Sequence, residues 1–376
     1  MCEYQLVKEG KTCFFVPKTA LVKPGRSGPG RRDKGVFYNP AMEFNRDISV
    51  LVCQWLVNQN RKRSFRILDG LAASGARGLR IANEVDGENF TVWVNDRNQM
   101  AFELIRRNIE HNRLGNVVAL NEDLNVLLRQ ERFDYVDVDP FGSPVEFIDS
   151  AVKGVFHNGL LACTATDTAP LCSVYPRVCL RRYFAMPVHN WMMHEVGLRI
   201  LIGFIGREAA KYDIGIRPVL CYYADHYFRV YLRVLKGVRY ANETIDSMVY
   251  LDLDGLKVSK RGSGGNFAGP LWGGCLHDKN VVRTLLGLPV LSSLGTSGRV
   301  VKFLSLVVEE LDDIPFFYSV DEFSSRFRVS PPRLSRLLEV FKSSGYRVSR
   351  THFSGVGFKT DAPLDVVEKV FKSLNR

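Results

Sequence analysis

The run VDVDPFGSP at residues 136–144 holds the side chains best suited to chemistry. An acid followed by proline and an aromatic, at the end of an apolar strand, suits methylation of an exocyclic amino group. The nitrogen of such a group is delocalised into its ring and is a poor nucleophile. It needs acceptors for its hydrogens, so that its lone pair can face a methyl donor. The Asp139 carboxylate and the Pro140 carbonyl can accept those hydrogens, and Phe141 can stack on the base. Asp139 can then take the proton released on methylation. Asp-Pro-Phe-Gly also makes a sound strand-ending turn, so the motif draws its meaning from what precedes it.

What precedes it is ILDGLAASGARGLR at 67–80. Small residues after a strand let the backbone approach a ligand, and the following helix offers free N–H groups. The spacing of Gly70, Gly75 and Gly78 is not GxGxxG, which weakens a dinucleotide reading. Asp96 lies 27 residues beyond Asp69, at the end of the next strand, where an acid can accept both hydroxyls of a ribose. A nucleoside cofactor without a pyrophosphate is implied, and S-adenosylmethionine fits. In VFYNPAMEFNRDISV (36–50), Arg46 is a candidate to hold the donor's methionine carboxylate. From spacing alone, a surface pair with Asp47 is the simpler reading.

The elements that must position these residues follow a strand–turn–helix rhythm. FRILDG (65–70), TVWVND (91–96), VVALNED (117–123), FDYVDVDP (133–140) and GLLACTAT (159–166) read as strands. Helices are expected from about Arg77, over Gln99–Arg113 and from near Val145. This alternation predicts an α/β fold with a doubly wound, mostly parallel sheet. Ligands of such sheets bind at the carboxyl ends of the strands, where Asp69, Asp96, Asp123 and Asp139 fall.

The 376 residues suffice for two or three domains. Lys18–Gly35 is rich in Gly, Pro and Arg, and residues 1–35 read as a basic arm. A catalytic domain over 36–235 and a smaller α+β domain over 236–376 complete the expected division. Further helices are read at 177–183 (RVCLRRY) and His194–Tyr212. The run 221–234 reads as one half-buried strand whose tyrosines pack, 254–275 as turns, and the last 57 residues as helix, helix, hairpin. Net charge is +11, and residues 1–35 and 320–376 each carry a surplus of five, leaving the 284 residues between them at +1. Two basic ends point to a polyanionic partner. The eight cysteines show no metal-knuckle spacing, so no metal is expected and the chain reads as intracellular and cytoplasmic. No run is long and apolar enough for a membrane span.

VFYNPAMEFNRD, LAASGARGLR, VDVDPFGSP, ACTATDTAPLC, HEVGLRILIG, YYADHYFR, GPLW and RTHFSGVGFKT, in that order, closely resemble the tRNA (guanine-N2)-dimethyltransferase family. Its members are class I methyltransferases that modify guanine 26 of tRNA, and the length resembles the compact archaeal form. The resemblance implies donor contacts at Arg46, Arg77, Asp96, Asp123 and Leu124, beside Asp69 and Gly75 of the glycine turn. It implies Asp139 as the catalytic acid, with Pro140 and Phe141. The family's usual threonine in the glycine turn is Ser74 here, and of a cysteine cluster before GPLW only Cys275 lies nearby. The reaction then expected is two successive methyl transfers from S-adenosylmethionine to N2 of one extruded guanine. Arg26, Arg31, Arg32, Arg326, Arg328, Arg333 and Arg336 are the expected contacts to the tRNA backbone. A methyltransferase of ribosomal RNA or DNA, or a non-catalytic RNA-binding protein that has kept the fold, are the alternatives.

Overall fold

YQLVKE and TCFFVP pair antiparallel as β1 (Tyr4–Glu9) and β2 (Thr12–Pro17). The computed structural model describes residues 3–18, 35–59, 64–260, 262 and 265–374, so Arg26, Arg31 and Arg32 lie outside the described residues. Residues 4–17, expected as part of a basic arm, are a packed hairpin instead. The reason is alternation: Phe14 and Val16 point one way and are fully buried with Ala76 and Leu79. Helix α1 (Glu43–Gln59) follows, buried from Phe44 to Val57. A helix immersed on all sides must match its polar groups internally. Asp47 accordingly accepts from Arg80 and from Thr296, while Gln54 bonds Asn58 and the Asp86 carbonyl.

The predicted strand–helix rhythm is then realised with ends shifted by a few residues. It runs β3 (Phe65–Asp69), α2 (Ala76–Glu84), β4 (Phe90–Asn95), α3 (Gln99–Asn112), β5 (Val117–Leu120), α4 (Leu124–Gln130), β6 (Phe133–Val138), α5 (Val145–Gly154) and β7 (Val155–Ala165). Pairs β5–β4, β4–β3, β3–β6 and β6–β7 are all parallel. β6 is buried along its whole length, as a strand covered on both faces must be. The order reverses between β3 and β6, so their carboxyl ends form the switch point of the sheet.

Beyond β7 come α6 (Thr168–Leu171), α7 (Pro176–Tyr183), α8 (Met193–Ala210), β8 (Ile214–Ala224) and β9 (Tyr227–Lys236). The sheet order is β5-β4-β3-β6-β7-β9-β8. One strand was expected over 221–234; two are found, because Asp225, at φ +50°, turns the chain between them. Tyr222, Tyr227 and Tyr231 pack in the interior, as expected. Next are α9 (Val238–Asp246), β10 (Met248–Asp252), β11 (Lys257–Ser259) and β12 (Phe267–Trp272). The last two fall where only turns were expected. Both pair antiparallel with β10, and burial of Ala268 and Leu271 gives β12 its reason to form.

Helices α10 (Lys279–Leu286) and α11 (Ser297–Glu309) lead to a terminal module. It contains β13 (Tyr318–Ser319), α12 (Val320–Phe327), α13 (Leu334–Ser343), β14 (Val348–Thr351), β15 (Ser354–Thr360) and α14 (Leu364–Ser373). Helix, helix and hairpin were expected; α14 was not, and Val367 and Phe371 seat it on Phe323 and Phe358. The strand order β13-β15-β14 around two helices is the arrangement of a winged helix. Two compact units result: Met1–Thr164 with Tyr231–Lys236 and Arg283–Lys302, and Ala165–Val230 with Gly237–Val282 and Phe303–Arg376.

Candidate active site

The switch point brings together the ends of β3 and β6, and with them Asp69, Asp137 and Asp139. Gly70 N–H donates to the Asp137 carbonyl at 3.0 Å. A Cβ on Gly70 would lie 2.8 Å from Leu124 Cδ1, so only glycine lets the strands' ends close this tightly. Gly75 caps α2 at φ +79°, a conformation that side chains disfavour. The Asp69 carboxylate, nearly fully buried, accepts from Gly78 N–H at 2.8 Å. Burial pushes its carboxyl up to about 7; Arg77 opposes the shift and Asp137 adds to it.

Arg77 is the hub. Its Nη2 donates to Asp139 Oδ2, and its Nε lies 3.6 Å from Asp137 Oδ2. Its Nη1 donates to Asn45 Oδ1 and Ser49 Oγ, each at 2.6 Å. The guanidinium is buried, and so is Asp137, which accepts from Tyr135 Oη at 2.5 Å. An arginine held on three sides fixes the carboxylate it faces. Asp139 itself is half-buried, and Phe141 beyond it is 51% exposed. The Phe141 ring meets Phe37 edge-on, with centroids 4.5 Å apart. A Cβ on Gly142 would touch nothing within 4 Å, so the chain leaves room beside that ring.

The other expected donor contacts lie around the glycine turn. Asp96 accepts from Ala73 N–H and Asn98 N–H, both at 2.8 Å, which orients a half-buried carboxylate at the end of β4. Asn95, fully buried, donates to the Gly70 and Glu122 carbonyls and ties the turns after β3 and β5. Asp123 is exposed and caps α4 through Oδ1; Leu124 beside it is buried over Gly70. Arg46 is not the surface partner of Asp47. It is buried and forked onto Glu9 of β1 at 2.7 and 2.5 Å, leaving Nη1 outside that fork. Burial opposes the Glu9 charge, but Arg46 and the Tyr38 hydroxyl outweigh it and hold that carboxyl below its ordinary value.

An S-adenosylmethionine donor suits these residues on one independent observation. The Asn45 Nδ2 group is fully buried without an acceptor, and its Oδ1 is committed to Arg77, which fixes the amide orientation. A carboxylate would satisfy it.

A sequence model of the family described as N2,N2-dimethylguanosine tRNA methyltransferase matches residues 18–372. The chain belongs to that family. It is 38% identical over 390 residues to a tRNA (guanine(26)-N(2))-dimethyltransferase of Pyrococcus furiosus, covering 97% of this chain and 98% of the relative. It is 37% identical to the enzyme of that name from Methanocaldococcus jannaschii, covering 98% of each chain. The solved structure of Trm1 from Pyrococcus horikoshii with S-adenosyl-L-methionine superposes with a TM-score of 0.85 at 36% identity, over 97% of this chain and 99% of that one.

Against this dimethylguanosine-methyltransferase frame, sequence reasoning missed four residues. Asp137 stood inside the quoted motif, yet its burial against Arg77 was not inferred. Asn45 adjoins Arg46 in FNRD, and Phe37 lies in the aromatic run before it. Glu9 gave no local signal, being 37 residues from its partner. The expected RNA contacts of the second unit lie on its terminal module. Arg326 and Arg328 are exposed at the end of α12, while Arg333 caps α13 and Arg336 lies on it. Arg333 and Arg336 line a hollow of about 420 Å³ with Pro332, Ser335, Glu339 and Leu374. Among the described residues no cluster of His, Cys, Asp or Glu could hold a metal, and no helix is long and apolar enough to cross a membrane.

Proposed function

We propose that the chain methylates N2 of guanine 26 in tRNA twice, using S-adenosylmethionine, to give N2,N2-dimethylguanosine. The observation that carries the reading is Asp139, held by Arg77 at the switch point beside exposed Phe141, whose ring meets half-buried Phe37. Phe141 and Phe37 supply ring faces for an extruded base. Asp139 and the Pro140 carbonyl accept the amino hydrogens, which frees the nitrogen lone pair from its ring. S-adenosylmethionine, when bound, supplies an electrophilic methyl group. Asp139 takes the proton that the nitrogen loses in each round. Its hold by Arg77 is what keeps the acceptor in line through both rounds. The room beside Gly142 accommodates the methyl already added.

Asp96 and Asp123 face the ribose and adenine ends of the donor in this reading. Asn45 and Nη1 of Arg46 face its carboxylate, with Asp69, Gly75 and Leu124 shaping the turn between. Arg326, Arg328, Arg333 and Arg336 grip the tRNA backbone, and the reaction takes place in the cytoplasm. Incubation of the purified protein with labelled donor and separate pools of tRNA, ribosomal RNA and DNA tests the reading. Label confined to tRNA supports it; label in another polymer, or in none, overturns it.

A further inference from the structure

Helix α7 carries a surface that the proposed reaction leaves unused. Its inward residues are Cys179 and Tyr183, both fully buried. Tyr183 is tied down on several sides. Its hydroxyl donates to both oxygens of Asp167 at 2.8 and 2.9 Å, its carbonyl accepts from Arg207 at 2.6 Å, and its ring meets Phe204 edge-on. The opposite face carries Arg177, Leu180, Arg181 and Phe184 at helical spacing. Phe184 is 66% exposed and caps the helix at φ +50°, a backbone region that aromatic residues rarely occupy. Tyr175, at the other end, is 58% exposed.

Sixteen large apolar residues are exposed among the described residues, and five of them fall between Val174 and Met186. Such a concentration marks a binding surface rather than scattered surface greasiness. No acid occurs between 174 and 186, whereas Arg177, Arg181 and Arg182 do. Arg182 pairs with Asp167, but Arg177 and Arg181 have no ion-pair partner among the described residues. Unpaired arginines interleaved with exposed aromatic rings suit a polyanion that also offers flat bases.

We infer that this face of α7 docks the tRNA substrate, with Phe184 stacking on an unstacked base and Arg177 and Arg181 on the flanking phosphates. The inference rests on tRNA being the substrate. Because Phe184 is exposed and Tyr183 holds the helix, Phe184→Ala leaves the fold intact. Binding of unmodified tRNA transcript to the full-length protein is measured by fluorescence anisotropy across a salt series. Donor affinity is measured in parallel by calorimetry, and oligomeric state by light scattering.

Phe184→Ala should weaken tRNA binding about 5- to 150-fold, and Phe184→Trp should restore it. Arg177→Glu with Arg181→Glu should flatten the slope of log affinity against log salt by about 1–2. Donor affinity should stay at the wild-type value in all three. Unchanged tRNA affinity and slope would overturn the inference. So would a changed oligomeric state at unchanged tRNA affinity, which would assign the face to contact between copies. Loss of donor binding alongside tRNA binding would also overturn it, since the effect would then be general. Failure of the wild-type protein to methylate tRNA would instead sink the proposed function, and is read separately.

Discussion

Arg77 donates to Asp139 across 62 residues of sequence, from the first turn of α2 to the end of β6. In the proposed reading the glycine turn is therefore not only a cradle for a donor. Through this contact it also sets the direction of the carboxylate expected to receive the proton. Arg77→Ala removes that hold and should lower kcat on the order of 10²-fold, the cost of misplacing a reacting group by about 1 Å. Arg77→Lys should recover only part, because a point charge cannot serve Asn45, Ser49 and Asp139 together. Single-turnover kinetics with saturating donor would check both.

Phe37 and Phe141 meet edge to face and, in the proposed reading, hold the same base, so their loss should look alike. Phe141→Ala and Phe37→Ala should each lower kcat/KM for tRNA by the equivalent of about 1–3 kcal/mol. The double variant should cost less than the sum, since the rings touch. Steady-state kinetics on the three variants decides this. Strict additivity would separate the two rings functionally.

Glu9 is the carboxylate that neutralises buried Arg46, whereas Arg80 beside it also pairs with Asp47 and Glu84. Glu9 faces Arg46 and Arg80, and all three side chains are at most 8% exposed. Glu9→Gln leaves the Arg46 charge buried without its carboxylate and should destabilise the protein by about 3–5 kcal/mol, seen in urea unfolding. Adding Arg46→Met should return part of the loss.

Asp69 makes stability depend on pH. Its carboxyl is raised from 3.8 to about 7 by burial, so the folded chain holds a proton that the unfolded chain gives up. The contribution of this group is complete below about pH 4 and is lost as pH rises through about 7. Asp69→Asn keeps a neutral side chain at every pH. Its melting temperature relative to wild type should therefore climb between about pH 5 and pH 8. A difference that stays flat, or falls, would mean that Asp69 is charged throughout.

The sheet was legible because apolar runs such as FRILD and FDYVDV admit little besides buried strands. Asp139, Pro140 and Phe141 were legible because they sit together in the chain. Contacts closed by the fold were not. Neither the Glu9 fork on Arg46 nor the Asp137 contact with Arg77 leaves a local trace. The turn at Asp225 was missed because the apolar pattern continues on both sides of it. The order β11–β10–β12 was hidden by glycines at 255, 262, 264 and 265. Helix α14 was overlooked because the preceding hairpin looked like a natural end.

The central claim is that Asp139 serves the amino group of guanine 26. The direct measurement is mass analysis of nucleosides from tRNA incubated with wild-type protein and with Asp139→Asn. Wild type should yield N2-methylguanosine and then N2,N2-dimethylguanosine at position 26. The variant should bind the donor yet form both products about 10²–10⁴ times more slowly. Wild-type rates from Asp139→Asn, or methyl groups on a different atom, would contradict the account.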